Sequence, residues 1–280
     1  DGDVKWPSPW GEGRPGWHLE CSAMSMKYLG ETFDLHTGGI DNMFPHHEDE
    51  IAQSEAANGC RFVNYWMHCE HLIVNGQKMS KSLGNFYTLR DLLDKGFSGV
   101  EMRWVLLGTH YRSKLNFAFD ALLQARSAIK KFHEFFARLK ALPQGDAGLE
   151  EATKLAAEAK AKFSDALADD LNSAEAFAAA YSLERAVNGA VSAGRFGAKA
   201  GAVILEQFRD FDKVLAVFDV DAVSAEAVSD VPAEILALAQ QRVEAKKAKD
   251  FKAADALRDQ IKAAGYIVID TPQGPQVKKA

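Results

Sequence analysis

Residues 32–57, TFDLHTGGIDNMFPHHEDEIAQSEAA, decide the fold. The first eight, TFDLHTGG (32–39), read as a buried strand that ends on two glycines. From 46 to 58 the pattern is that of a helix. Pro45 suits a helix start, and Glu48, Asp49 and Glu50 crowd the first turn, where acids complement the positive end of the helix dipole. That electrostatic reading explains the acids without any ligand. A second apolar run, HLIVN (71–75), reads as the next strand. The order strand, helix, strand is a βαβ-like unit, in which ligands gather beyond the carboxyl ends of the strands. HTGGIDNMFPHH follows the first strand directly and lies at that end.

Around this stretch the chain has 280 residues, 47 % of them hydrophobic, enough for two or three domains. No apolar run reaches the roughly 18 residues of a membrane-spanning helix, so we expect no membrane partner. The N-terminus, DGDVKWPSPWGEGRPGW, has no initiator Met, basic start or apolar core, and reads as neither signal nor transit peptide. Its loop-like composition leads us to expect a chain cut from something longer. Cys21, Cys60 and Cys69 show no C-x-x-C spacing, which argues against a disulfide scaffold and for a reducing cytoplasm. A metal site would have to borrow histidine or carboxylate ligands. The net charge of −6 is uneven: residues 231–280 carry nine basic and six acidic side chains. That surplus is a weak pointer to a polyanion there, since a Lys-rich helix face is more often merely solvated.

The middle of the chain is Ala-rich. Apolar positions recur every three or four residues over 121–139, 162–188 and 202–218, with turns at 143–148 and 192–197. These stripes predict a helix-bundle core rather than a cofactor pocket. After a break at SDVPAE (229–234) comes a polar helix over about 232–264, interrupted near Lys249–Asp250, then a short strand YIVID (266–270) ending at TPQGP.

Two groups of residues carry chemistry. His46 and Glu50 are four apart and share a helix face, and a Cys21 thiolate from a neighbouring segment would complete three of the four ligands of a zinc ion. The gap of 25 residues between Cys21 and His46 fits no zinc-finger pattern, and His47 is a competing ligand. KMSKS (78–82), in the Gly-bounded loop NGQKMSKSLGN, places Lys78 and Lys81 where a mobile loop can wrap a triphosphate and stabilise developing charge.

GRPGWHLECSAM, FDLHTGGID, FPHHEDEIAQSEAA, YWMH, KMSKSLGNF, HYRS and KDFKAADALRD, in this order, closely resemble cysteinyl-tRNA synthetase, over essentially all 280 residues. The resemblance implies a class I α/β fold: a Rossmann-like catalytic half-domain, an all-α helical bundle and a small α/β C-terminal domain. The implied boundaries are 1–65 for the half-domain with the zinc ligands and 66–118 for the last core strand, the KMSKS loop and a connecting region. The bundle would follow over 119–228 and an anticodon-binding domain over 232–280. The implied activity is ATP-dependent activation of cysteine, with Mg²⁺, and its transfer to tRNA(Cys).

The family's zinc ligands fall on Cys21, His46 and Glu50, and its pocket neighbours on Trp17 and His36. Gly38, Gly39 and Asp41 match an adenosine-binding turn, with Thr37 in place of a further glycine, and Lys81 matches the ATP contact, with Lys78 as helper. Zinc favours sulfur over a hydroxyl, so a substrate thiol would be told from serine by a metal bond rather than by a methylene. Lys246, Phe251, Asp255 and Asp270 match anticodon-reading positions; unpaired bases can be stacked on aromatics and bonded on their edges. Phe251 stands where tryptophan is usual and Lys246 where arginine occurs. In DDLNSAEA (169–176), a helix N-cap at Asn172 or Ser173 needs no RNA contact.

In the family the fourth zinc ligand and the HIGH signature precede the position of Asp1. We therefore expect the C-terminal portion of such an enzyme, catalytically incomplete alone, and a cytoplasmic monomer. Two rivals are a non-catalytic tRNA- or zinc-binding fragment and the related mycothiol-pathway cysteine ligase, which should need no anticodon domain.

Overall fold

The structure, a computed structural model, describes residues 4–221, 232–247, 250–271 and 274–279. It divides into two compact units, Asp1–Val220 and Asp221–Ala280. The first opens with a hairpin of β1 (Trp6–Ser8) and β2 (Gly11–Gly13), then α1 (Trp17–Leu29) and β3 (Phe33–Gly39). A short 3₁₀ turn (Ile40–Asn42) and a π-helical turn (Met43–His47) lead into α2 (Glu48–Asn58). Gly59 ends α2 in the left-handed region, φ 68°, where glycine carries no Cβ penalty.

The βαβ unit exists, but its return strand is not the one the apolar run suggested. β4 (Val63–Cys69) pairs parallel with β3, from Phe33 opposite Val63 to Gly39 opposite Cys69. Residues 63–69 are a mixture of aromatic and polar side chains: Trp66 and His68 turn inward, while Asn64 and Tyr65 are exposed. No continuous apolar run marks such a strand. HLIVN instead forms β5 (Leu72–Val74), between β6 (Gln77–Lys78) and β7 (Leu115–Phe117) in a second sheet. Asn75 and Gly76, both at positive φ, make the tight β5–β6 turn. Two short helices, α3 (Leu89–Asp94) and α4 (Gly99–Leu107), each open with a reciprocal capping box, Thr88 with Asp91 and Ser98 with Glu101.

Four helices follow: α5 (Phe119–Lys140), α6 (Leu149–Ala168), α7 (Ser173–Ser192) and α8 (Ala198–Leu215). Their apolar stripes meet in a core rich in phenylalanine, with Phe132, Phe135, Phe136, Phe208, Phe211 and Phe218 all buried. The stripe over 162–188 is therefore two helices, not one. Asp170 and Leu171 adopt left-handed φ of 57° and 55°, and Asn172 caps α7 by accepting from the Glu175 amide at 3.1 Å. The main apolar core runs from Val74 to Val220. Before Val74, the only buried large apolar side chains among the described residues are Phe62 and Val63.

The second unit contains α9 (Ala233–Lys247), α10 (Phe251–Ala263) and the antiparallel pair β8 (Tyr266–Thr271) and β9 (Gly274–Lys279). Asp250 caps α10, accepting from the Ala253 amide at 3.0 Å, so the polar helix is interrupted where its sequence indicates. The strand at 266–270 gains a partner in β9, which the turn-like residues of TPQGP conceal. Ile235, Ala239 and Ile261 form this unit's small core. No described helix is long and apolar enough to cross a membrane. The architecture is thus an α/β half-domain, an all-α bundle and a small α/β unit.

Candidate functional site

α1, the π-helical turn and the start of α2 bring three ligand atoms to one point. Cys21 Sγ lies 3.6 Å from His46 Nε2, and His46 Nε2 lies 2.9 Å from Glu50 Oε1. All three donors fall within 4.8 Å of one another. Glu50 is fully buried, at 0 % exposure, and its ion-pair partners among the described residues are His36 and His46. Its Oε1 has no hydrogen-bond partner among the described residues, with His46 Nε2 lying 2.9 Å away. A buried carboxylate oxygen without a hydrogen bond demands another partner. Sulfur, imidazole nitrogen and carboxylate oxygen around it form a donor set suited to zinc, so these residues fit that ion. Burial, followed by the nearby Glu50 carboxylate, pushes the Cys21 thiol pKa up; a bound cation would act in the opposite direction. Trp17 stacks on the His46 ring at 3.9 Å and closes one side of the cluster.

His36 enters the same cluster. Its Nε2 lies 2.8 Å from Glu50 Oε2, so the other carboxylate oxygen is held from β3. The His36 ring stacks on Trp66 at 4.6 Å, and His47 Nδ1 lies 2.8 Å from His68 Nε2. Burial first, then the neighbouring His36, His68 and His46, lowers the His47 pKa to about 4. Burial, His36 and Arg112 also lower that of His68. His36, His47 and Glu50 form a second set of donors within 4.8 Å. Sequence reasoning left His47 as a competitor and missed Trp66 and His68. Their signal was alternation: 66 and 68 share the sheet face that carries His36.

Gly38 and Gly39 have a local reason to be glycine. A methyl group at Gly38 would sit 2.5 Å from His47 Cε1, and one at Gly39 would meet the Asp41 carboxylate. The turn thus leaves room for the histidine cluster and for Asp41, which is exposed beyond the carboxyl end of β3.

The KMSKS segment is an exposed loop tied at both ends by one side chain. The Ser80 amide donates to Asn85 Oδ1 at 2.8 Å, and Asn85 Nδ2 donates to the Lys78 carbonyl at 3.1 Å. Met79 packs against the core, which leaves the Lys78 and Lys81 side chains facing solvent. Neither lysine forms an ion pair among the described residues, though Lys81 Nζ sits 5.7 Å from the Phe86 ring centroid. Two unneutralised ammonium groups on a pinned loop can receive phosphate oxygens.

Lys246 lies on α9, and Asp255 on α10 pairs with Arg258 at 3.2 Å. The Phe251 and Asp270 side chains lie outside the described ones. Asn172 is a cap, and the Ser173 hydroxyl donates to the Leu107 carbonyl at 2.8 Å.

A family profile described as "tRNA synthetases class I (C) catalytic domain" matches residues 1–127, a "DALR domain" matches 162–219, and a "Cysteinyl-tRNA ligase anticodon binding domain" matches 228–277. Relatives include the cysteine–tRNA ligase of Protochlamydia amoebophila (strain UWE25), 46 % identical over 100 % of this chain and 57 % of the relative. That of Chlamydia pneumoniae is 45 % identical over 99 % of this chain and 58 % of the relative. The chain therefore spans less than three fifths of the length of these two relatives. Among solved structures, the ternary complex of Agrobacterium radiobacter K84 agnB2 LeuRS with tRNA and LeuAMS matches with TM-score 0.57 at 15 % identity, over 79 % of this chain and 34 % of that one. At that identity the likeness is one of fold alone. By its three profile matches and its end-to-end similarity to these ligases, the chain belongs to the cysteine–tRNA ligase family.

Proposed function

We propose that this chain supplies the cysteine-selecting, nucleotide-gripping and tRNA-reading parts of an enzyme that activates cysteine with ATP and Mg²⁺ and transfers it to tRNA(Cys). The observation that carries the proposal is the convergence of Cys21, His46 and the buried Glu50 on one point. A zinc ion held by these three residues would supply preference for a thiolate over a hydroxyl, and so for cysteine over serine. His36 fixes the far oxygen of Glu50, and Trp17 stacks on His46. The glycine turn offers Asp41 to ribose hydroxyls, and Lys81 with Lys78 offers charge to the triphosphate. Lys246, Phe251, Asp255 and Asp270 would meet the anticodon. The profile match over 228–277 favours a tRNA over an amino-sugar acceptor. The same reading carries a cytoplasmic monomer.

The test is metal content and ligand choice. We expect one zinc per chain, lost in Cys21→Ala and Glu50→Gln. We also expect the cobalt-loaded chain to change its visible spectrum with cysteine and not with serine. Equal responses to the two amino acids, or full zinc occupancy in Glu50→Gln, would overturn the proposal.

A further inference from the structure

The face of α2 that carries the ligands continues beyond them. His46, Glu50, Ser54 and Asn58 follow one another at four-residue spacing and therefore line up along one side. They meet a matching row on α1. Trp17 stacks on His46, Cys21 lies 3.6 Å from His46, Ser54 Oγ donates to Ser22 Oγ at 2.8 Å, and Asn58 Nδ2 points at Met26 Sδ at 2.9 Å. Gln53 reinforces the middle rung: its Nε2 donates to the His18 carbonyl at 2.6 Å and also to Ser22 Oγ.

The buried part of the seam is polar, with Trp17 at one end and Met26 at the other. α1 buries only Ser22, and α2 buries only Glu50 and Ser54, so no buried apolar side chain sets the register between the two helices. Non-directional packing tolerates rotation and sliding; hydrogen bonds between buried groups do not. Ser22 is 1 % exposed, is adjacent to Cys21, and accepts from two donors on α2. Turning α1 by one residue, about 100°, would carry Sγ off the cluster.

We propose that Ser22 and Ser54 are positioning residues that fix the register of α1 on α2 and thereby hold the Cys21 thiolate on His46 and Glu50. The proposal rests on the metal reading of that cluster. The serines touch no ligand atom; they act through the helix that bears one. Outer partners that orient a ligand typically account for a 10- to 100-fold change in metal affinity.

The experiment measures zinc affinity of the full chain by chelator competition and records the visible spectrum of the cobalt-loaded protein, with circular dichroism as a check on folding. Ser22→Ala is expected to weaken zinc binding 10- to 100-fold and to reduce the sulfur-to-cobalt band while helical content is kept. In Ser22→Ala/Ser54→Ala no hydroxyl is left unpaired between the helices. A purely structural penalty for an orphaned group would then be relieved and affinity would return; a positioning role predicts that it stays low. Should Ser22→Ala fail to fold, Ser54→Ala, which keeps the Gln53 bond to Ser22, reads the same effect in milder form. Wild-type affinity in Ser22→Ala alongside loss in Cys21→Ala overturns the positioning role and leaves the metal reading intact. Recovery in the double variant overturns it too. Undiminished affinity in Cys21→Ala and Glu50→Gln would remove the metal reading itself, and this inference with it.

Discussion

Arg112 grips Asp170 with two hydrogen bonds, Nε to Oδ2 at 2.5 Å and Nη2 to Oδ1 at 3.2 Å, across 58 residues of sequence. The Tyr111 hydroxyl donates to the same carboxylate, and His110 Nε2 lies 3.1 Å from the Asp170 carbonyl. The loop before β7 is thus bound to the left-handed corner between α6 and α7.

That grip sets a pH signature. The Arg112 hydrogen bond, then that of Tyr111, lowers the Asp170 pKa to about 2. Its folded pKa lies below the unfolded value of about 3.9, so the stabilisation is complete above that value and is lost as pH falls towards 2. Asp170→Asn should lower the unfolding midpoint by at most a few degrees at neutral pH, because the pair is solvent-exposed. The difference between wild type and variant should shrink between pH 5 and 2.5. A constant difference across that range in a pH-resolved melting series would count against the assignment.

Asn85 ties the lysine loop through Ser80 and Lys78. Asn85→Ala removes both bonds, and we expect ATP affinity to drop by about tenfold, the equivalent of one hydrogen bond of about 1.4 kcal/mol. Hydrogen exchange over 78–86 should quicken in the free chain. Unchanged exchange there would show that the loop is held by something else.

Phe208 is fully buried and rings with Phe132, Phe135, Phe136, Phe211 and Phe218 surround it. Phe208→Ala should destabilise unit 1 by about 3–5 kcal/mol, read by denaturant unfolding. A loss below about 1 kcal/mol would mean that the bundle collapses onto the cavity.

Zinc should stabilise by mass action. At free zinc about a hundred times Kd, the gain is about 2.7 kcal/mol, and a chelator should remove it. Glu50→Gln should melt at the same temperature with and without zinc. Zinc-dependent stabilisation persisting in that variant would locate the ion elsewhere.

Much of this was legible because it depended on short-range pattern. His46 and Glu50 share a face by spacing alone, the Phe-rich stripes over 121–139 and 202–218 announce a bundle, and KMSKS stands out as a lysine loop. What stayed hidden depends on partners distant in sequence. Residues 63–69 form a strand because Trp66 and His68 pack on His36 and His47, not because the run is apolar. Leu171 takes φ 55° where its neighbour Asp170 is gripped from 58 residues away, and no local propensity encodes that. His36 was assigned to the substrate pocket from family resemblance; its Nε2 sits on Glu50, a contact visible only in three dimensions.

The apolar core begins at Val74, while the β3–α2–β4 unit ahead of it buries little beyond Phe62, Val63 and a knot of polar side chains. The two regions should therefore open by different physics. The bundle, cohering through aromatic contacts, unfolds as a cooperative block. The β3–α2–β4 region coheres mainly through hydrogen bonds among polar side chains, which should place it at the low-stability end of local unfolding. If a metal holds Cys21, His46 and Glu50 as proposed, chelation should loosen that cluster while the bundle helices stand unchanged, and hydrogen exchange would register this as loss of protection confined to residues 17–69.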